Sequence, residues 1–324
     1  MGAGARAVFR WFGVLLGMVL PGMAAAGPYP DKPITIVVPF EAGGSTDVSA
    51  RVVAKALAEV LRQPVVILNQ PGAGGRIGTR RVATADPDGY TLLWGSGSTL
   101  AVAPVLYPDQ TYLVTLEPVA LGALQPFVFV TSPETGAKSV ADLIALARRK
   151  PGVLNFASAG VGSSNHLLGE IFMSATDTRF VHVPYKGATS ARDAVIRGDA
   201  QLMDEVLAPL LAQIKAGQLV SLFVTSESRD PTLPNVPTAK EVGLPDLSIT
   251  GFFGLMAPPK TPLGVLKELG AAMKTALASE EVRKSFANMS FDVGNGSASD
   301  LATLIVTGRA RYARIVAERQ IKVE

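Results

Sequence analysis

Ile34-Thr35-Ile36-Val37-Val38 runs into Pro39-Phe40-Glu41-Ala42-Gly43-Gly44-Ser45-Thr46-Asp47 and then into a helical pattern that reaches Leu61. The opening run is β-branched, which predicts a strand. Val48, Val52, Ala56 and Val60 then recur at helical spacing. Between strand and helix lies a turn of glycines and small hydroxyl residues. The unit reads strand, Gly/Ser turn, helix.

The same order returns one domain's length later. Asn155-Phe156-Ala157-Ser158 enters Ala159-Gly160-Val161-Gly162-Ser163-Ser164-Asn165-His166, and helical spacing follows over 166–174. Further strands are predicted at 65–68, 91–94, 127–130, 180–183 and 219–224, and helices at 78–84, 140–149, 262–278, 280–287 and 299–317. Alternation of this kind predicts an α/β fold with parallel sheets. Two corresponding units predict two lobes whose turns face one cleft. With chain crossings near 124–132 and 222–228, residues 27–125 and 229–324 form a discontinuous first lobe and 126–228 the second.

Composition narrows the function. A chain of 324 residues with 48% hydrophobic and 18% charged residues can bury a large core. It has no cysteine, so disulfides, thiolate metal sites and cysteine nucleophiles are excluded. Its two histidines, His166 and His182, exclude a metal site needing three. The 30 basic and 27 acidic residues are spread rather than clustered, which argues against nucleic-acid binding. Arg6 and Arg10, the apolar run 11–20 and Ala24, Ala25 and Ala26 read as a signal peptide over 1–26, cleaved before Gly27. The run is too short to span a bilayer as a helix. An exported, periplasmic protein is expected, carrying 28 basic and 27 acidic residues after cleavage.

The turns have a chemical use. A helix N-terminus presents backbone N–H groups without intrahelical partners, and its dipole suits an anion. Glycine allows close approach of the backbone, and Ser or Thr hydroxyls add donors. Gly43, Gly44, Ser45 and Thr46 fit this use, as do Gly160, Gly162, Ser163 and Ser164. Plain helix caps on flexible turns are the other reading. Asp47 either complements its helix dipole or contacts a ligand. His166 either braces its loop or orients Ser163 toward a ligand, and His182 belongs to the core or a lobe edge.

Other motifs fail. Pro71-Gly72-Ala73-Gly74-Gly75-Arg76-Ile77-Gly78 has Ile77 where a dinucleotide turn needs its third glycine, and it lacks the Lys-Ser/Thr of a P-loop. Gly95-Ser96-Gly97-Ser98-Thr99 is not a nucleophile elbow, because Gly97 holds the serine position. A serine hydrolase of small esters, with Ser163 or Ser98 served by His166, is the rival from another class.

At these residues the chain resembles the Bug family of periplasmic solute-binding proteins, the receptors of tripartite tricarboxylate transporters (TctC-like). The segments that carry the resemblance are Tyr29-Pro30-Asp31-Lys32-Pro33-Ile34, Val38 to Asp47, Asn69 to Gly75, Pro87-Asp88-Gly89-Tyr90-Thr91-Leu92, Ser164-Asn165-His166-Leu167, His182-Val183-Pro184-Tyr185-Lys186-Gly187 and Leu233-Pro234-Asn235-Val236-Pro237-Thr238. The resemblance implies a two-lobed periplasmic binding protein fold of type II character, a small carboxylate between the lobes, and a membrane permease as partner. It implies no catalysis and no cofactor, and a monomer is expected. Phe40, Glu41, Ala42, Gly43, Gly44, Ser45, Thr46 and Asp47 would hold one carboxylate. Ser158, Ala159, Gly160, Gly162, Ser163, Ser164 and His166 would oppose them, and residues 95–99, Gly97 and Ser98 among them, would line the cleft.

Two departures bear on the ligand. Glu41 stands where relatives carry a neutral residue. Asp204-Glu205-Val206 stands where they carry a Phe-Asp-Asn-like segment. Acids at Glu41, Asp204 and Glu205 would repel a polycarboxylate unless they point away or meet an amine. The expectation is a receptor for a small organic acid, an amino acid or aromatic monocarboxylate included, that serves a permease or, alternatively, a signalling partner.

Overall fold

The structure, a computed structural model, describes residues 1–2, 29–318 and 320. Arg6, Arg10, the run 11–20, Ala24, Ala25 and Ala26 and the expected start at Gly27 lie outside the described residues. In chain order the elements are β1 (Ile34–Val38), α1 (Ser45–Leu61), β2 (Val65–Asn69), α2 (Arg76–Ala83), β3 (Thr91–Ser96), α3 (Ala103–Leu106) and β4 (Glu117–Thr131). Then come α4 (Val140–Arg149), β5 (Asn155–Ser158), α5 (Ser164–Thr176), β6 (Val181–Pro184), α6 (Ala188–Ile196), β7 (Leu202–Val206), α7 (Leu211–Lys215) and β8 (Val220–Val224). The chain ends with β9 (Thr250–Ala257), α8 (Leu263–Ala278), α9 (Glu280–Asn288), β10 (Asp292–Val293) and α10 (Ala298–Glu318).

The fold is α/β with two lobes. Strand order is β2-β1-β3-β9-β4-β7-β5-β6, with β8 and β10 also on β4. β1 runs parallel to β2 and β3, and β5 runs parallel to β6 and β7. Helices cover both faces of such sheets, so their strands read as continuous apolar runs. Ile34, Ile36, Val37 and Val38 are accordingly buried.

β4 belongs to both sheets. From Glu117 to Pro126 it pairs antiparallel with β9, and from Phe127 to Thr131 with β7 and β8. A proline cannot donate to a ladder. Pro126 stands where the strand leaves β9 for β7. After β8 the chain folds back on itself before β9: Ala239 N–H donates to Val224 O (2.7 Å) and Thr225 Oγ1 to Ile249 O.

α1 rolls relative to the sequence reading. Ala50, Val53, Ala54 and Leu57 form its buried stripe, while Val60 is exposed. These four follow the i, i+3, i+4, i+7 rule, and they face the sheet. β7 and β9 escape the pattern of apolar runs. In β9 the glycines are packing requirements, since a Cβ at Gly254 would lie 2.5 Å from Leu301.

Candidate functional site

The C-terminal ends of β1, β3, β5 and β7 converge on a cavity between the lobes that is partly open to solvent. Strand ends at this edge of an open α/β sheet are where ligands sit, because the helices that follow aim their N-termini there. Of the expected site residues, the cavity is lined by Phe40, Gly44, Ser45, Thr46, Gly97, Ser98, Ala159, Ser164 and Glu205. Ser96, from the stretch 95–99 expected to line the cleft, joins them; Phe127, Asn165, Ala188, Val206, Gly251, Phe252 and Phe253 complete the lining and were not foreseen. Most of these come from strands and helices remote in sequence, and only the fold brings them together.

The first turn of α1 is open. Its N-cap is Gly44, which offers no side-chain cap, and the first intrahelical bond runs from Val48 N to Gly44 O (2.9 Å). The N–H groups of Ser45, Thr46 and Asp47 thus have no intrahelical partner. Gly43 makes the turn with φ +84°, a conformation that L side chains rarely adopt. Asp47 points away from the cavity. Its carboxylate accepts from Gly43 N (2.9 Å), Arg51 Nε (2.9 Å) and Asn69 Nδ2 (2.9 Å), which ties the loop to α1 and β2. Burial alone would raise its pKa, but hydrogen bonds from Arg51, Gly43 and Asn69 hold it below the usual value.

The opposing turn is closed on itself. Ser163 caps α5 by accepting His166 N–H (3.2 Å), is fully buried and does not line the cavity. His166 braces the turn, because its Nδ1 accepts Gly162 N–H (3.2 Å) and its ring stacks on His182 at 3.9 Å. Ser158 Oγ lies 2.6 Å from His182 Nε2 and accepts Gly160 N–H (3.1 Å). Burial, with His166 beside it, pushes His182 down to about 3. Neither Ser163 nor Ser98 hydrogen-bonds an imidazole. Ser98 instead bridges the lobes, donating to Ser164 Oγ (2.9 Å) and accepting Ser164 N–H (2.9 Å). Ser158, Gly162, Ser163 and His166 therefore shape the loop behind the cavity wall. Gly160 lines a second, open hollow with Gly74, Lys186 and Ser190.

The three acids go to three different places. Side chains alternate across a strand, so Glu205 faces the cavity and Asp204 does not. Glu205 Oε1 accepts Ser45 Oγ–H (2.7 Å) and Val206 N–H (3.0 Å). Its Oε2 lies 3.4 Å from Asn165 Nδ2. Burial pushes its pKa up to about 7. Asp204 Oδ2 meets Asn165 Nδ2 (3.2 Å), and its Oδ1 has no partner. Burial first, then the charge of Glu205, raises it well above the carboxylate range.

Glu41, expected at the cleft mouth either to meet an amine or to turn away to solvent or a surface cation, does neither and is engaged across the cleft. Its carboxylate accepts the N–H and hydroxyl of Ser190 at the start of α6. Ala42 joins it, its carbonyl accepting Thr189 Oγ1–H (3.1 Å). Glu41, Ala42 and Gly43 thus lie outside the cavity lining.

Comparison with known proteins places this architecture. A family model described as the tripartite tricarboxylate transporter family receptor (TctC) matches residues 49–321. Protein BugT of Bordetella pertussis is 36% identical over 321 residues, covering 98% of each chain. A solved structure described as a periplasmic transporter superposes with a TM-score of 0.88 at 33% identity, over 91% of this chain and 100% of its own. MatC from Rhodopseudomonas palustris, solved with bound malate, gives 0.85 at 30% identity over 89% and 100%. A second R. palustris protein, solved with adipate, gives 0.86 at 30% identity over 91% and 99%.

Proposed function

The chain belongs to the tripartite tricarboxylate transporter receptor (TctC) family, and from that premise we propose that it is a periplasmic receptor that closes its two lobes on a small organic acid. The observation that carries this reading is the uncapped first turn of α1, set on a cavity whose lining, among the described residues, holds no basic side chain. A carboxylate there is held by Ser45 and Thr46 N–H groups and the helix dipole rather than by an ion pair. Ser98 flanks it from the same lobe, and Ser164 and Asn165 close on it from the other. The malate and adipate bound by the two R. palustris relatives support a carboxylate ligand. No bond is made or broken in this reading. The loaded, closed form is what a permease of the tripartite type would recognise.

The double pairing of β4 supports the expected crossing near residue 125, but the segment 225–249 packs on β8, so we place the return crossing at Thr250, where β9 begins, rather than at 229. Export by cleavage near Gly27 belongs to the same proposal. Sequencing the N-terminus of protein recovered from the periplasm tests it, and full-length chain in the membrane would refute it.

Thermal melting of purified protein against a panel of mono-, di- and tricarboxylates tests the main reading. A ligand at about 100 times its Kd adds about 2.7 kcal/mol of stability. A panel that leaves the melting temperature unmoved would overturn it.

A further inference from the structure

Glu205 is a cavity acid without a cation. Its residue is only 4% exposed, and among the described residues no Lys, Arg or His lines the cavity. Its two oxygens are unequally served: Oε1 takes two short hydrogen bonds, whereas Oε2 meets a single amide at 3.4 Å. A second lining group is also unserved. Ser96 Oγ, on a residue 6% exposed, has no hydrogen-bond partner among the described residues. Buried polar atoms are ordinarily hydrogen-bonded, and a ligand in the cavity can supply the partners these two lack.

Ser45 links this acid to the anion seat. Its hydroxyl donates to Glu205, while its N–H is among the free donors of the first turn of α1. A ligand carboxylate seated on that turn is therefore one residue away from Glu205. Two anions so close repel, and more strongly in a dry cleft than in water. The arrangement becomes favourable if the ligand carries positive charge and N–H donors on the carbon next to its carboxylate. We propose that Glu205 reads an ammonium at that position, so that the receptor takes 2-amino acids ahead of their hydroxy and unsubstituted analogues. This rests on the carboxylate reading above and narrows it.

The test is calorimetric titration of the parent, Glu205→Gln and Glu205→Asp with two probe series. One series is aspartate, malate and succinate; the other is leucine, 2-hydroxy-4-methylpentanoate and 4-methylpentanoate. In the parent, the amino member of whichever series fits should bind at least tenfold tighter than its two analogues. Glu205→Gln should bring that ratio close to one, chiefly by weakening the amino acid. Glu205→Asp keeps the charge and should keep the preference. Equal ratios in the parent and Glu205→Gln, or a parent that favours the hydroxy or unsubstituted member, overturn the inference alone. If no acid of either series binds, the carboxylate reading falls and this inference falls with it.

Discussion

Glu41 and Ser190 meet across the cleft: Glu41 Oε1 accepts the Ser190 backbone N–H at 2.6 Å, and both carboxylate oxygens lie 2.7 Å from the Ser190 hydroxyl. Glu41 follows β1 in one lobe, and Ser190 stands in the first turn of α6 in the other. The N-cap of α6 is Gly187, which has no side chain to cap with. An acid from the opposite lobe serves instead, complementing the dipole of α6. The lobes are thereby clasped at the rim by a bond in which no ligand takes part.

Removing the clasp should shift the balance toward the open form. Hydrogen bonds to charged groups contribute about 1.5–3 kcal/mol, and a part of that is lost from closure in Glu41→Ala. The expected outcome is a Kd weaker by about tenfold, or about 1.4 kcal/mol, with a larger radius of gyration in small-angle scattering of the ligand-free protein. An unchanged Kd and an unchanged radius would show that the contact does not govern closure.

Gly187 supplies an independent route to the same state. A Cβ there would sit 2.5 Å from Glu41 Cγ, and the backbone is extended at φ 177°, so alanine brings a clash without backbone strain. Gly187→Ala should therefore reproduce the affinity loss of Glu41→Ala. The double variant should be little worse than either single, because both remove one interaction. Additive losses would mean that Gly187 and Glu41 act separately.

Ser163 separates stability from binding. Its hydroxyl caps α5 through His166 N–H and lies outside the cavity. Ser163→Ala should lower stability by about 1 kcal/mol, the ordinary worth of such a cap, and leave calorimetric affinity unchanged. A loss of affinity at full stability would put the hydroxyl on the ligand.

The strand–turn–helix unit from Ile34 to Leu61 was legible because a β-branched run, a glycine turn and a periodic helix are all local signals. β9 was not. Gly251 and Gly254 break its pattern, and both are there because neighbours press close to their Cα atoms. The same limit governs the site. Gly44, Ser45 and Thr46 could be read as an anion seat from local sequence alone. Phe252, Phe253 and Asn165 join them only through the sheet order and the placement of α5. The turn before α5 looked like the twin of the turn before α1, yet Ser163 satisfies its own helix whereas Gly44 cannot. The partner of Glu41 was hidden for a related reason. Nothing local says that an uncapped helix from the other lobe will meet it.

The acids of β7 make a final prediction in which the sign is decisive. Glu205 has an ordinary pKa of 4.5 and is pushed up to about 7 in the fold by burial. Between those values the native state binds more protons than the unfolded chain, so stability falls as pH rises. Its contribution is fully present below about 4.5 and is lost as pH passes about 7. Asp204, buried beside it, is shifted the same way. His182 opposes them, because its fall from 6.5 to about 3 makes the fold gain stability as pH climbs through that window. Comparison of the parent with Glu205→Gln cancels the His182 contribution, which both proteins share. The melting temperature of Glu205→Gln relative to the parent should therefore rise steadily from pH 5 to pH 8, with a relative gain of at least about 1 kcal/mol. An amino-acid ligand should narrow that gap at pH 8 by giving the ionised Glu205 its counter-charge. A difference that stays flat across the range would mean that Glu205 is ionised throughout.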